Sequence, residues 1–190
     1  MAASVDDPLQ SDRRSDQELI AAINGGDTDA FEVLYHRYRD WVVNLAYRFT
    51  GDREMALDVL QETFLYFVKK FPGFKLTAQL RTFLYPAVRN LSTGLRRKAE
   101  RYRSSETELE AINTLVTTGP VHGEGEQLSA ALAPMSEEHR EVLLLRFVDG
   151  LSLAEIANTV NIPLGTVKSR LHNALEILRK DERTRRYFDG

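Results

Sequence analysis

The sequence predicts an all-α protein: two small helical domains joined by a flexible linker, the C-terminal one containing a helix-turn-helix. Three observations predict it. Apolar residues recur at helical spacing almost throughout, and no stretch alternates convincingly as a strand would. Cap signals punctuate that periodicity, with Ser15, Ser136 and Ser152 ahead of apolar runs and Gly25-Gly26, Pro72-Gly73 and Gly150 behind them. A polar interval from Ser104 to Glu126, containing "TTGPVHGEGE", separates the two periodic regions.

Ser15 and Glu18 have the spacing of a capping box, which opens a first helix, "DQELIAAING". A second helix starts near Asp29 and runs through "AFEVLYHRYRDWVVNLAYRF". The third, "REMALDVLQETFLYFVKKF", ends against Pro72-Gly73, and the irregular "GFKLTAQLR" leads to a fourth that closes on "NLSTGLRRKAERYR". Beyond the linker come "LSAALAPM", "SEEHREVLLLRFVDG" and a helix pair from Ser152 to Lys180. The expected boundaries are a disordered tail over 1–15, a first domain over 16–103, the linker over 104–126, a second domain over 127–182 and a short tail over 183–190. Each domain has about the size at which a single core becomes viable.

Composition narrows the function. With 190 residues, 43% hydrophobic and a formal net charge of −3, the chain is an ordinary globular one with no global basic signal for nucleic acid. It has no cysteine, which removes disulfides, thiolate zinc sites and thiol redox chemistry. His36, His122, His139 and His172 are scattered outside any metal-ligand spacing, and no glycine loop could cradle phosphate. The expectation is no enzyme, no metal, no cofactor. The N-terminus has no apolar run and no stretch could span a bilayer, so no membrane insertion and a cytoplasmic location are expected.

The helix pair from Ser152 to Lys180 has the caps and turn of a compact helix-turn-helix. Ser152 and Glu155 make a second capping box, Asn161 tolerates the left-handed conformation of a tight turn, and Pro163 suits the first position of the next helix. On that helix Val167, Leu171, Ala174, Leu175 and Leu178 share one face and are expected to pack on Ile156 and Ala157. The opposite face carries Gly165, Ser169, His172, Asn173, Glu176 and Lys180, flanked by Lys168 and Arg170. Short polar and basic side chains near a helix N-terminus suit a reader of the DNA major groove. Glu176 is expected to face solvent.

The first domain adds two faces. Between Arg81 and Arg103 seven basic residues meet only Glu100, and Phe83, Tyr85 and Tyr102 are interleaved with them. That pattern suits phosphate neutralisation with stacking on unpaired bases, and it equally suits a solvated basic helix end. On the third helix Ala56, Val59, Leu60, Thr63, Phe64 and Phe67 form the inward stripe. Glu54, Asp58, Gln61 and Glu62 point outward around Leu65, an apolar anchor in a polar rim.

Taken together, "ALDVLQETFLYF", "LRTFLYPAVRNLSTGLRRK" and "REVLLLRFVDGLSLAEIA" followed by "GTVKSRLHNAL" resemble the extracytoplasmic-function group of bacterial RNA polymerase sigma factors. The resemblance covers about Gln17 to Lys180. It implies an alternative sigma factor that binds core RNA polymerase through the β′ clamp helices and the β flap, and directs it to promoter DNA. Asp58, Gln61, Glu62 and Leu65 would meet the clamp. Asn90 would lie near the pocket for a flipped −10 base, with the irregular stretch Gly73–Gln79, including Lys75, as a specificity loop. Arg89, Arg96, Arg97 and Lys98 would hold phosphates. Thr166, Lys168, Ser169, Arg170, His172 and Asn173 would line the −35 major groove. An anti-sigma partner, and nucleoid association when bound to polymerase, are further implications.

Four positions depart from the family pattern. Leu57 replaces an acid beside Asp58, and phosphorylation by a Ser/Thr kinase at Thr63 or a neighbouring hydroxyl is one way to restore the charge, although periodicity points Thr63 inward. Phe83 replaces a common Trp. Pro86 and Gly94 interrupt the fourth helix, which should kink or begin later. A stand-alone helix-turn-helix regulator would leave the acidic and aromatic-basic faces unexplained. A sigma mimic working only through protein contacts would have lost the DNA-facing residues, yet they are present.

Overall fold

The computed structural model describes residues 12–106 and 130–185, so nearly all of the expected linker lies outside the described residues. The described residues hold eight helices and no strand: α1 (Asp16–Asn24), α2 (Thr28–Thr50), α3 (Arg53–Val68), α4 (Leu80–Glu106), α5 (Glu137–Phe147), α6 (Leu153–Val160), α7 (Leu164–Lys180) and α8 (Glu182–Arg185). They belong to two compact units divided between Ile112 and Asn113.

In the first unit α2 packs against α1, α3 and α4, so the longest apolar stripe forms the centre. Local chemistry sets the helix ends. The Ser15 hydroxyl accepts from the Glu18 N–H, and the Glu18 carboxylate accepts from the Ser15 N–H and hydroxyl, two bonds that hold the Glu18 carboxyl below its usual range. Asp27 caps α2 by accepting from Ala30, Asp52 caps α3 by accepting from Met55, and Gly51 ends α2 in the left-handed conformation at φ 67°. Leu34, Val42 and Leu45 of α2, Val59 and Phe67 of α3, and Leu80, Leu84 and Val88 of α4 are fully buried together with Leu19 of α1.

The irregular stretch between α3 and α4 is tied down by an aromatic cluster. Phe67 contacts Phe31, Phe71, Phe74 and Phe83, and the Phe74 and Phe83 rings lie 4.7 Å apart. Asn24, at the end of α1, reaches the same stretch: its amide accepts from the Gly73 N–H at 2.6 Å and donates to the Phe74 carbonyl at 2.8 Å.

Pro86 neither delays α4 nor ends it, since the helix runs from Leu80 through Pro86 to Glu106. The missing N–H falls in the second turn, where one lost bond is offset by burial of Leu84, Tyr85 and Val88 around it.

In the second unit Ser136 caps α5 by accepting from His139, and Ser152 with Glu155 forms the expected capping box of α6. Asn161 takes the left-handed conformation, φ 53° and ψ 51°. Two details correct the sequence reading. Pro163 sits at the N-cap of α7, not its first position, because its carbonyl already accepts from the Thr166 and Val167 N–H groups. The apolar face of α7 does not pack on α6 alone: Ala174 and Leu178 join Ala131, Leu132, Met135 and Leu143 in a second core. Length explains this, since seventeen residues of α7 extend ~25 Å while eight of α6 cover only ~12 Å.

Candidate nucleic-acid and partner-docking surfaces

The reader face of α7 is built by burying its other side. Val167 and Ala174 are fully buried, which turns Gly165, Lys168, Ser169, His172 and Asn173 outward, all exposed. Thr166 is half-buried at the edge. No acid occupies the first turn, so the partial positive charge of the helix N-terminus stands unopposed beside Lys168. The surface can accept a phosphate at its start and present donors and acceptors to base edges one turn later.

Two residues differ in availability from the rest. Arg170 is half-buried, and its guanidinium lies 3.0 Å from the Glu138 carboxylate, so it braces α7 against α5 as well as flanking the reader face. Glu176 is half-buried and accepts from Arg179 at 2.7 Å, which holds its carboxyl below the usual range. It remains at the surface, paired with its neighbour on the same helix.

On the first unit, Phe83, Asn90 and Arg97 lie seven residues apart on α4 and so fall nearly in one row. Asn90, Arg97 and Lys98 are exposed. Phe74, on Phe83, anchors the irregular stretch at the head of that row, and Lys75 emerges exposed from the next position. Gly94 stands between Asn90 and Arg97 with no atom near the place a Cβ would take. The remaining two basic residues are more committed to the fold. Arg96 reaches the Phe49 carbonyl and Glu100, both at 3.5 Å, and Arg89 is half-buried with partners of its own.

On α3 the outward set is as read: Glu54, Asp58, Gln61, Glu62 and Leu65 are exposed, Leu65 at 49%. The structure widens the face. Leu57 at 44%, Tyr66 at 41% and Val68 at 42% are exposed too, giving an apolar strip alongside the acids. Tyr66 and Val68 were missed because apolar residues crowd both sides of this helix. Their offsets of four and seven from Glu62 and Gln61 carried the signal. Tyr66 stacks on Phe83 at 5.8 Å and carries Lys70 over its ring at 4.3 Å.

Thr63 lies on the inward side of α3, where periodicity points it. It is fully buried, its hydroxyl has no partner, and it is the only serine or threonine of α3. A kinase cannot reach Thr63 in the folded unit, so a phosphate that replaces the acid absent at Leu57 would have to go to a neighbouring hydroxyl. Among the described residues no group of three or more His, Asp or Glu could hold a metal ion, and no helix is long and apolar enough to cross a membrane.

Residues 34–102 match the family described as Sigma-70 region 2, and residues 131–180 match Sigma-70, region 4. The extracytoplasmic-function RNA polymerase sigma factor SigW of Bacillus subtilis is 29% identical over 180 residues, which cover 88% of this chain and 96% of that protein. Among solved structures, CnrH in complex with the cytosolic domain of CnrY superposes with a TM-score of 0.61 at 21% identity, covering 85% of this chain and 93% of that one. The sigma factor RpoE in complex with the anti-sigma factor NepR from Bartonella quintana gives 0.54 at 22% identity, covering 74% and 89%. At these identities the two structures speak for the fold.

Proposed function

The chain belongs to the extracytoplasmic-function group of the sigma-70 family and is an alternative sigma factor directing transcription initiation, and we propose that it does so through the three surfaces described above. Asp58, Gln61, Glu62 and Leu65 of α3 dock on the β′ clamp helices of core polymerase. Asn90, with Lys75 and the loop it belongs to, captures an unstacked −10 base, while Arg97 and Lys98, assisted by Arg89 and Arg96, hold the adjacent phosphates. Thr166, Lys168, Ser169, His172 and Asn173 enter the −35 major groove, with Arg170 at the flank. The two domains are those over 16–103 and 127–182, with 104–126 as the tether and the β flap as a second polymerase contact.

One observation carries this reading. The acid-and-leucine face of α3 and the Phe83–Asn90–Arg97 row of α4 belong to the same four-helix unit. A docking face beside a single-strand face is what a polymerase subunit needs, and a stand-alone repressor has no use for either. Core enzyme then holds both DNA readers at a fixed separation. The second contact becomes effectively intramolecular, and affinity multiplies without new contacts. Melting is driven by trapping unstacked bases, which offsets a cost of a few kcal/mol for each flipped base. The bond-making chemistry belongs to polymerase, so the chain works by binding alone, in the cytoplasm. An anti-sigma factor covering the α3 face would silence it by competition.

Run-off transcription with core enzyme on the promoter of the protein's own operon tests the proposal. A defined transcript that needs both the chain and core enzyme is expected. Failure to bind core, combined with dimeric binding to a palindromic duplex, would instead establish a repressor, and binding neither would leave a sigma mimic.

A further inference from the structure

From the paired hydrogen bonds of Asn24 we infer a positioning residue for −10 base selection, outside every stretch that meets DNA or polymerase in the proposal above. The inference rests on the reading of residues 73–79 as the base-selecting loop. Asn24 is the last residue of α1, some fifty positions from that loop in sequence. Its one amide group satisfies two backbone groups in succession. The Oδ1 atom accepts from the Gly73 N–H at 2.6 Å and Nδ2 donates to the Phe74 carbonyl at 2.8 Å. Side-chain pairing of both a donor and an acceptor fixes a backbone in orientation as well as position, much as a neighbouring strand would.

The loop needs such a fixture. Gly73 takes a positive φ of 102°, so the chain turns sharply there with no helix or strand to supply partners. Phe71 and Phe74 anchor their rings on Phe67 and Phe83, but ring packing leaves the peptide planes free to rock. At the far end the Gln79 carbonyl accepts from the Thr82 N–H at 3.0 Å and from the Thr82 hydroxyl at 2.5 Å. Between these two fixtures lie Lys75 to Ala78, of which Lys75, Thr77 and Ala78 are exposed. Asn24 thus sets where a five-residue tip, Lys75–Gln79, starts and in which direction it leaves. A tip that short can distinguish bases only if its root is held, because a shift of about 1 Å at the root misplaces every contact at the tip.

The test is a base-preference profile. Holoenzyme carrying Asn24→Ala is compared with wild type in open-complex formation on a promoter selected from random DNA, with each −10 position changed to all four bases. Loss of two neutral hydrogen bonds predicts a roughly tenfold fall in the ratio of best to worst base at the captured position. Core affinity and −35 preference stay unchanged. Asn24→Asp keeps the acceptor for Gly73 and loses the donor to Phe74, so its profile falls between the two. Hydrogen exchange at the Gly73 amide gives a readout independent of transcription, fast in Asn24→Ala and slow in Asn24→Asp. An equal fall in rate on all four bases, or an unchanged ratio with a fast-exchanging Gly73, would overturn the inference. Alanine substitution of Lys75, Thr77 and Gln79 separates the two levels of the argument. If those changes leave base preference intact, the loop is not the selector. If they alter it and Asn24→Ala does not, the loop stands and the role of Asn24 falls.

Discussion

Replacing Thr63 by valine should stabilise the first unit, and the reason lies beneath the docking face. Thr63 is fully buried on α3 and its hydroxyl has no hydrogen-bond partner. A hydroxyl taken from water without compensation costs ~1–3 kcal/mol, and valine fills almost the same volume without it. Ser92, fully buried on α4, has the same defect, and alanine there also gains ~0.5 kcal/mol of helix propensity. Each substitution is therefore expected to add about 1 kcal/mol, which for a domain of this size raises Tm by roughly 4–8 °C. The assay is built into the chain: Trp41, its one tryptophan, sits on α2, so tryptophan fluorescence follows the first unit alone during thermal unfolding. Core-polymerase affinity should not change, because neither side chain reaches the surface. Thr63→Glu, which places a carboxylate in the same site, should unfold the unit. A Trp41 transition that stays put or falls in Thr63→Val would refute the reasoning, since it would mean the hydroxyl has a partner that matters.

Three further outcomes follow from the surfaces. Leu65→Ala, removing a side chain left 49% exposed, should weaken core binding by about tenfold, the value of half-burying a leucine at ~1–1.5 kcal/mol, as read by competition for core enzyme. Asn173→Ala should relax base preference at one −35 position by ~1–3 kcal/mol, whereas Lys168→Ala should lower affinity across sequences and flatten its salt dependence, both measured by transcription from −35 variants. Asn161→Ala should cost the second unit ~1 kcal/mol in chemical unfolding, since alanine tolerates φ 53° poorly, while Asn161→Gly should be neutral or better.

The legible part of this protein was the part encoded locally. The capping boxes at Ser15 and Ser152, the left-handed Asn161, and the outward set on α7 all follow from residues within four positions of one another, and all are where the sequence placed them. Local rules failed where a helix answers to more than one neighbour. The stripe of α7 divides between α6 and a separate core because α6 is too short to cover it, and lengths had to be realised in space before that showed. Pro86 allowed a later start of α4, but the helix begins at Leu80, with Leu84, Tyr85 and Val88 buried around the proline.

By itself the sequence determined the all-α class, the two periodic regions and the faces that resemble a sigma factor, because hydrophobic period and cap chemistry are short-range properties. Only tertiary structure decided which charged groups remain available. It engaged Arg170 with Glu138 and Arg96 with the Phe49 carbonyl, and left Lys168, Asn173 and Arg97 exposed. It also brought Asn24 to a loop fifty residues away. The Arg170–Glu138, Arg96–Phe49 and Asn24–loop contacts are encounters between distant segments, and no spacing rule along the chain contains them.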